Sequence, residues 1–389
     1  MTSQFTPLGI HAALDRALIE KGYTQPTDIQ KAAIPPLLAG RDILGCAQTG
    51  TGKTAAFALP LLQGLVQAGN AAQPLPPRAA RILVLVPTRE LALQVAESFA
   101  EYGRYVPHTR AVVLGGVSQN SQVHALARGV DVLVATPGRL LDLCQQKLAR
   151  LDRVQALVLD EADRMLDLGF LPDVKRIVAM VPAKRQTLLF SATMPDNIRA
   201  LAGRVLRDPV EVAVAPVSST AEGVTQYVLF VGHKDKRHLL AEVLRDPAMT
   251  RALVFTRTKR GANRVAEHLE KARVSVGVIH GNKSQNARVR ALEAFKDGKA
   301  RVLVATDIAA RGIDVQDVTH VINFELPDDP ESYVHRIGRT ARAGRRGVAL
   351  SFCDASERTS LRDIERLTGQ RIRIVERHPY SGANRGGLQ

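Results

Sequence analysis

Short apolar runs rich in Val, Ile and Leu alternate along the chain with segments of helix length. Continuous apolarity over a few residues marks a strand buried on both faces. Its alternation with helices marks a parallel sheet with crossover connections. The first half predicts strands at Asp42–Cys46, Ile82–Val86, Ala111–Leu114, Val132–Ala135, Ala156–Leu159 and Thr187–Phe190. The second half predicts them at Gln226–Val231, Ala252–Phe255, Val276–Ile279, Val302–Ala305, Val318–Asn323 and Val348–Phe352. Leu361, Ile364 and Leu367 recur at helical spacing, which predicts a helix over Arg358–Leu367 with all three facing a core. Between the halves, Asp208-Pro209 and AVAPVSSTAEG (Ala213–Gly223) break the periodicity and predict an interdomain linker. QAGNAAQPLPPR (Gln67–Arg78) reads as a surface loop of the first domain.

The two halves repeat each other. VLVAT stands at Val132–Thr136 and again at Val302–Thr306, an offset of 302 − 132 = 170. At the same offset LVLVPTR (Leu83–Arg89) lies over LVFTRTK (Leu253–Lys259), while VVLGG (Val112–Gly116) nearly matches VIHGN (Val278–Asn282) about four residues out of step. Two matches at one offset favour duplication of one α/β unit. Ligands of open α/β sheets bind beyond the carboxyl ends of strands, where all the motifs below fall.

Composition adds the kind of partner. The 389 residues carry 53 Lys+Arg against 38 Asp+Glu, a formal +15, which points to a polyanion, nucleic acid first. With 4% aromatics and no Trp, base stacking does not dominate, so the backbone is what is held. No run approaches the ~18 apolar residues of a membrane span, and MTSQFTPLG has no signal segment, so a cytoplasmic location is expected. Cys46, Cys144 and Cys353 are too scattered for a metal site or a disulfide scaffold.

AQTGTGKT (Ala47–Thr54) follows a predicted strand and opens a helix, the context of a phosphate-binding loop. Gly50 and Gly52 let backbone N–H groups close on phosphates, Lys53 supplies charge at the β- and γ-phosphates, and Thr54 offers a hydroxyl to Mg²⁺. Gln48, Thr49 and Thr51 complete the loop. Asp160 ends the apolar strand ALVLD and suits a second Mg²⁺ contact, largely through water, while the adjacent Glu161 suits orienting and deprotonating a water. In HRIGRTAR (His335–Arg342), a helix would align Arg336, Arg339 and Arg342 on one side, a repulsion that a phosphate compensates.

Together AQTGTGKT, DEAD (Asp160–Asp163), SAT (Ser191–Thr193) and HRIGRTAR resemble the DEAD-box ATP-dependent RNA helicases of superfamily 2, over nearly the whole chain. The resemblance implies two tandem RecA-like domains, each a mostly parallel sheet flanked by helices, joined by a short linker. The expected extents are domain one at 1–208, linker at 209–222, domain two at 223–370 and a basic flexible tail at 371–389. GYTQPTDIQ (Gly22–Gln30) with Phe5 upstream is similar to the family's Q motif, which implies that Gln30 reads adenine and Tyr23 packs on it. Arg339 and Arg342 are implied as arginine fingers, and His335 as a contact to the DEAD acids. Asp163, Ser191 and Thr193 are implied to couple ATP state to RNA. In ATDIAARGID (Ala305–Asp314), Asp307 and Arg311 are implied to bridge the domains and Asp314 to approach the ribose. Ala341 stands where the family usually has Gly.

The same resemblance implies an RNA track. In domain one it runs through Pro87, Thr88 and Arg89, then Gly115 and Gly116, then Thr136, Pro137, Gly138 and Arg139. In domain two it uses Thr256, Arg257, Gln285, Arg288 and Thr306. Hydroxyls, glycine N–H groups and single arginines hold phosphate and ribose without reading bases. The expected function is ATP- and Mg²⁺-dependent local unwinding of short duplexes or remodelling of RNA–protein complexes. The alternative is an ATP-gated RNA clamp or chaperone with little strand separation. Ribosomal and RNA-decay assemblies are the partner classes this allows. HGNKSQ (His280–Gln285) and RDIERL (Arg362–Leu367) most resemble the bacterial RhlE-type branch, whose members often carry longer basic tails, so an early stop or a cut is expected.

Overall fold

The computed structural model describes residues 4–47, 50–69, 74–213, 223–310, 318–341 and 346–381. It divides into two compact units, 1–216 and 217–389. The first unit's strands are β1 (Ile43–Cys46), β2 (Ala80–Leu85), β3 (Arg110–Val113), β4 (Val130–Ala135), β5 (Ala156–Leu159), β6 (Gln186–Ser191) and β7 (Val210–Ala213). The second unit's are β8 (Val224–Phe230), β9 (Ala252–Thr256), β10 (Val276–Ile279), β11 (Val302–Thr306), β12 (His320–Asn323), β13 (Gly347–Cys353) and β14 (Arg373–Ile374). Every pairing between these strands is parallel.

The sheet orders are β3-β4-β2-β5-β6-β1-β7 and β10-β11-β9-β12-β13-β8-β14, the same order when each unit is numbered from its own first strand. Leu83 pairs with Leu133, and 170 residues on, Leu253 pairs with Leu303. The internal repeat is therefore a repeat of topology and register. Strand alternation serves two cores per sheet: Ile82 and Val84 face one apolar cluster, Leu83 and Leu85 the other. The first cluster is closed by the helices Asp28–Leu38, Lys53–Ala68 and Arg89–Tyr102, the second by Pro137–Gln145, Leu171–Met180 and Asp196–Val205.

Three expectations need correction. The linker does not begin at 209, because Val210–Ala213 form β7 beside β1, and residues 214–222 lie outside the described set. The tail does not begin at 371: Ile372 is buried and Arg373–Ile374 form β14 on β8. Both are edge strands with polar residues between their apolar ones, so they lack the continuous apolarity of the strands inside the sheets. Finally, Leu361 and Ile364 face the core, but Leu367 is 50% exposed. No helix among the described residues is long and apolar enough to cross a membrane.

One buried ionic cluster joins the carboxyl ends of four neighbouring strands in the second unit. Lys236, fully buried just after β8, contacts Asp354 at 3.3 Å and Glu357. Glu357 also accepts from Arg257 (3.2 Å) after β9, from the Leu326 N–H (3.1 Å) after β12, and from the Asp354 N–H (3.0 Å) after β13. Burial pushes the Asp354 carboxyl up, but the Ser356 hydroxyl and Lys236 pull it further down, to about 2. Lys236→Met leaves two buried carboxylates without their ammonium, so denaturant unfolding of the second unit should show a loss of about 3–5 kcal/mol. Because the Asp354 carboxyl lies below its unfolded value, its stabilisation is complete above about pH 4 and lost as pH falls toward 2. Asp354→Asn should flatten that acid limb of the stability curve.

Candidate nucleotide and RNA site

In the first unit, β1 ends at Cys46 and the helix Lys53–Ala68 begins seven residues later. Gly50 and Gly52 hold φ of 91° and 94°, a conformation that favours glycine. Lys53 is 5% exposed at the helix's first position, and its Nζ has no hydrogen-bond partner among the described residues. The nearest carboxylate oxygen, Asp160 Oδ1, is 3.9 Å away. Burial raises the Asp160 carboxyl's pKa, against the pull of Lys53. A buried ammonium without a hydrogen-bond partner, at a positive helix end, is suited to an anion. Thr54 is half-buried beside it, and Gln48 and Thr49 lie outside the described residues.

Gln30 is buried and its amide is engaged at both ends. The Thr27 N–H donates to Oε1 at 2.9 Å, and Nε2 donates to the Gly52 carbonyl at 3.1 Å. The residue expected to read adenine thus ties its helix cap to the phosphate loop. Tyr23 is half-buried, its ring 6.2 Å from that of Tyr102. Phe5 is fully buried within the core, so it supports this corner from beneath and offers no surface to a base.

DEAD and SAT meet through one carboxylate. Asp163 Oδ2 accepts from the Ala192 N–H (3.1 Å), the Thr193 N–H (2.9 Å) and the Thr193 hydroxyl (3.1 Å). The Asp163 N–H donates to Ser191 Oγ at 3.2 Å. The first-unit RNA candidates also converge. A Cβ on Gly116 (φ 78°) would sit 2.1 Å from the Arg89 guanidinium, so only glycine lets Arg89 lie across that turn. Gly115 adjoins the same guanidinium. Arg139 Nη1 donates to the Val117 carbonyl (3.3 Å) and the Thr136 N–H to that of Val113 (2.9 Å). Thr88 caps the next helix through the Leu91 N–H, while Pro137 and Gly138 open the helix that follows Thr136.

The second unit departs further from expectation. Thr256 is fully buried, and its hydroxyl donates to the Thr258 carbonyl. Arg257 is spent on Leu326, Glu357 and Asp328, with its N–H on Glu325. Thr256 offers no side chain to a phosphate, and the exposed Arg257 is already paired with carboxylates. Gln285, Arg288 and Thr306 are largely buried. Exposed Lys259 bonds Asn282 at 2.9 Å beside His280, whose pKa burial lowers, with Lys283, Lys259 and Arg288 adding to the effect. This cation cluster at the ends of β9 and β10 is a better anion surface than the Thr256-Arg257 turn.

The expected alignment of three arginines on one helix fails, because the helix Pro330–Ile337 stops at Gly338. Arg336 is buried and bidentate to Asp307 at 2.5 and 2.7 Å, so Asp307 is held inside its own unit. Asn323 and the Glu325 carbonyl take its remaining Nη1 bonds. Arg339 is 5% exposed in the turn that follows, and His335 is half-buried on the helix. Arg311, Asp314 and Arg342 lie outside the described residues.

The DEAD/DEAH box helicase model matches residues 27–201, and the helicase conserved C-terminal domain matches residues 235–344. An ATP-dependent RNA helicase CshA from Listeria monocytogenes is 41% identical over 388 residues, covering 100% of this chain and 73% of the relative. The chain belongs to the DEAD/DEAH box helicase family. The helicase is also 45% identical over 369 residues to the ATP-dependent RNA helicase DeaD of Mycobacterium tuberculosis, covering 95% of this chain and 64% of that one. Among solved structures, Saccharomyces cerevisiae Dbp5 bound to RNA and ADP BeF3 matches with TM-score 0.82 at 32% identity, covering 96% and 95% of the two chains. A DEAD box protein from Methanococcus jannaschii matches with TM-score 0.54 at 36% identity, covering 95% and 98%. Two RecA-like units in tandem are thus the fold of this helicase.

Sequence reading passed over Lys236 and Glu357. Lys236 opens a helix six residues after β8, much as Lys53 does seven residues after β1, and that spacing was the available signal. Ala341 adopts φ 55°, a left-handed conformation for which glycine is the unstrained choice. The turn also presses on β13, since a Cβ on Gly347 would meet Thr340 Oγ1 at 2.2 Å and the Ala341 N at 2.7 Å. Ala341→Gly should therefore stabilise the second unit by up to about 1 kcal/mol in thermal unfolding. Gly347→Ala should destabilise it.

Proposed function

We infer that this helicase couples ATP hydrolysis to local separation or remodelling of RNA held by its backbone. The observation that carries the reading is the buried Lys53 ammonium, which has no hydrogen bond among the described residues, beside Asp160 at the strand ends where DEAD and SAT are bonded together. Lys53 and the N–H groups of the loop bind the phosphates. Glu161 orients and deprotonates the attacking water. Arg339 and Arg342, which belong to the second unit, offset charge on the transferred phosphoryl group. Turnover on this reading needs both units, and RNA that engages both favours it.

The hard-oxygen donors Thr54 and Asp160 fit Mg²⁺, which would supply charge at the β- and γ-phosphates. In the first unit Arg89, Gly115, Gly116 and Thr136–Arg139 hold RNA phosphates and riboses. In the second, Lys259 and Lys283 join Gln285, Arg288 and Thr306 in that task. A cytoplasmic location and recruitment to ribosomal or RNA-decay assemblies belong to the same proposal. The RhlE-type assignment rests on HGNKSQ and RDIERL alone, and the curated relatives above carry the names CshA and DeaD.

Steady-state ATP hydrolysis should rise at least tenfold with single-stranded RNA and far less with DNA of the same sequence. Glu161→Gln should lower the stimulated rate by about 10²–10⁴ while leaving RNA affinity intact. Wild-type hydrolysis by that variant would overturn the assignment of Glu161. Stimulated hydrolysis without separation of short duplexes would favour the clamp.

A further inference from the structure

Arg164 directly follows the DEAD sequence, and nothing in the nucleotide reading above gives it a task. Its side chain is 4% exposed, and Nη1 donates to Glu161 Oε2 at 2.7 Å, on a carboxylate that is itself 4% exposed. Glu161 is strained: at φ 53° and ψ 52° it sits in the left-handed region, immediately before the helix Ala162–Asp167. A non-glycine residue persists there only when its surroundings over-determine it. Two bonds contribute to that here. The Glu161 N–H donates to Asp160 Oδ1 at 2.9 Å, fixing the backbone, and Arg164 fixes the side chain. Arg164 is in turn held by Asp163, whose Oδ1 accepts the Arg164 N–H at 3.0 Å while Oδ2 holds Ala192 and Thr193.

We propose that Arg164 is a positioning residue for hydrolysis: its guanidinium aims the Glu161 carboxylate, and its backbone bond registers that carboxylate to the SAT strand end through Asp163. The proposal rests on the reading of Glu161 as the group that orients water. A surface ion pair three residues apart on a helix has little directing power, but this pair is buried, and a buried guanidinium–carboxylate bond is directional. The chemistry depends on that direction, since a displacement of about 1 Å at a reacting group costs on the order of 100-fold.

The test is steady-state kinetics of the full chain with saturating RNA, together with affinity for a fluorescent ATP analogue and a thermal melt. Arg164→Gln keeps donors but loses the charge and the fork. Its kcat should fall roughly tenfold to a hundredfold, with KM for ATP and analogue affinity unchanged. Arg164→Lys should recover part of kcat. In a Glu161→Gln background, Arg164→Gln should cause no further loss, because Arg164 acts through that carboxylate. The double variant removes both charges of this buried pair, so it should melt closer to wild type than Arg164→Gln alone. Should Arg164→Gln alone fail to fold, Arg164→Lys carries the test, with reduced kcat at unchanged KM expected. An unchanged kcat, a loss confined to KM or analogue affinity, or an equal further loss in the Glu161→Gln background would each overturn the proposal. Full hydrolysis by Glu161→Gln alone would instead refute the reading of Glu161, a separate result.

Discussion

A buried ammonium at the first turn of a helix must find negative charge, since both desolvation and the helix's positive end act against it. This helicase meets that constraint twice, in two ways. In the second unit Lys236 is neutralised by Asp354 and Glu357, and the place where a phosphate would sit is already supplied with carboxylates. In the first unit Lys53 has Asp160 at 3.9 Å and no hydrogen bond among the described residues. Two units of one topology thus differ in whether the lysine is satisfied internally. On the proposed reading, that difference leaves the nucleotide to the first.

The parallel sheets set where this happens. Every strand's carboxyl end lies on one edge of its sheet, so residues far apart in sequence become neighbours there. Asp163 shows the benefit: one carboxylate accepts three donors from the 192–193 turn, so a shift of the DEAD segment must move the SAT segment. Glu357 does the same in the second unit without nucleotide chemistry. Its four donors come from beyond the ends of four strands, and the rigidity goes into the platform that carries Arg336 and Arg339.

Much of the fold was legible because strands inside a parallel sheet are apolar on both faces. All twelve strands read from the pattern exist, and Ala156–Leu159 and Val276–Ile279 have the expected ends. The edge strands β7 and β14 escaped because most of β7 and both residues of β14 are exposed or only partly buried, which leaves no continuous apolar run. The Gly50–Lys53 turn stood out as a phosphate-loop candidate because its pattern is local, with glycines and a lysine in one short stretch. The bonds of Arg257 were not legible because its partner Glu357 is 100 residues away and no local pattern announces it. Arg336 was misread for the same reason, its charge being cancelled by Asp307 from another strand end.

The linear chain by itself determined the α/β class and the duplication, and marked the glycine-lysine turn after β1 and the acidic run after β5 as candidates, since periodicity and short motifs act over distances the chain spells out. Only tertiary structure decided which charges are free and which are spent. Lys53 and Lys236 occupy equivalent starts of helices, and Arg89 and Arg257 follow equivalent strands. Whether each awaits a phosphate or is held by a carboxylate depends on what the fold brings within about 4 Å, because Coulomb energy in a buried site falls with separation in space and takes no account of separation along the chain.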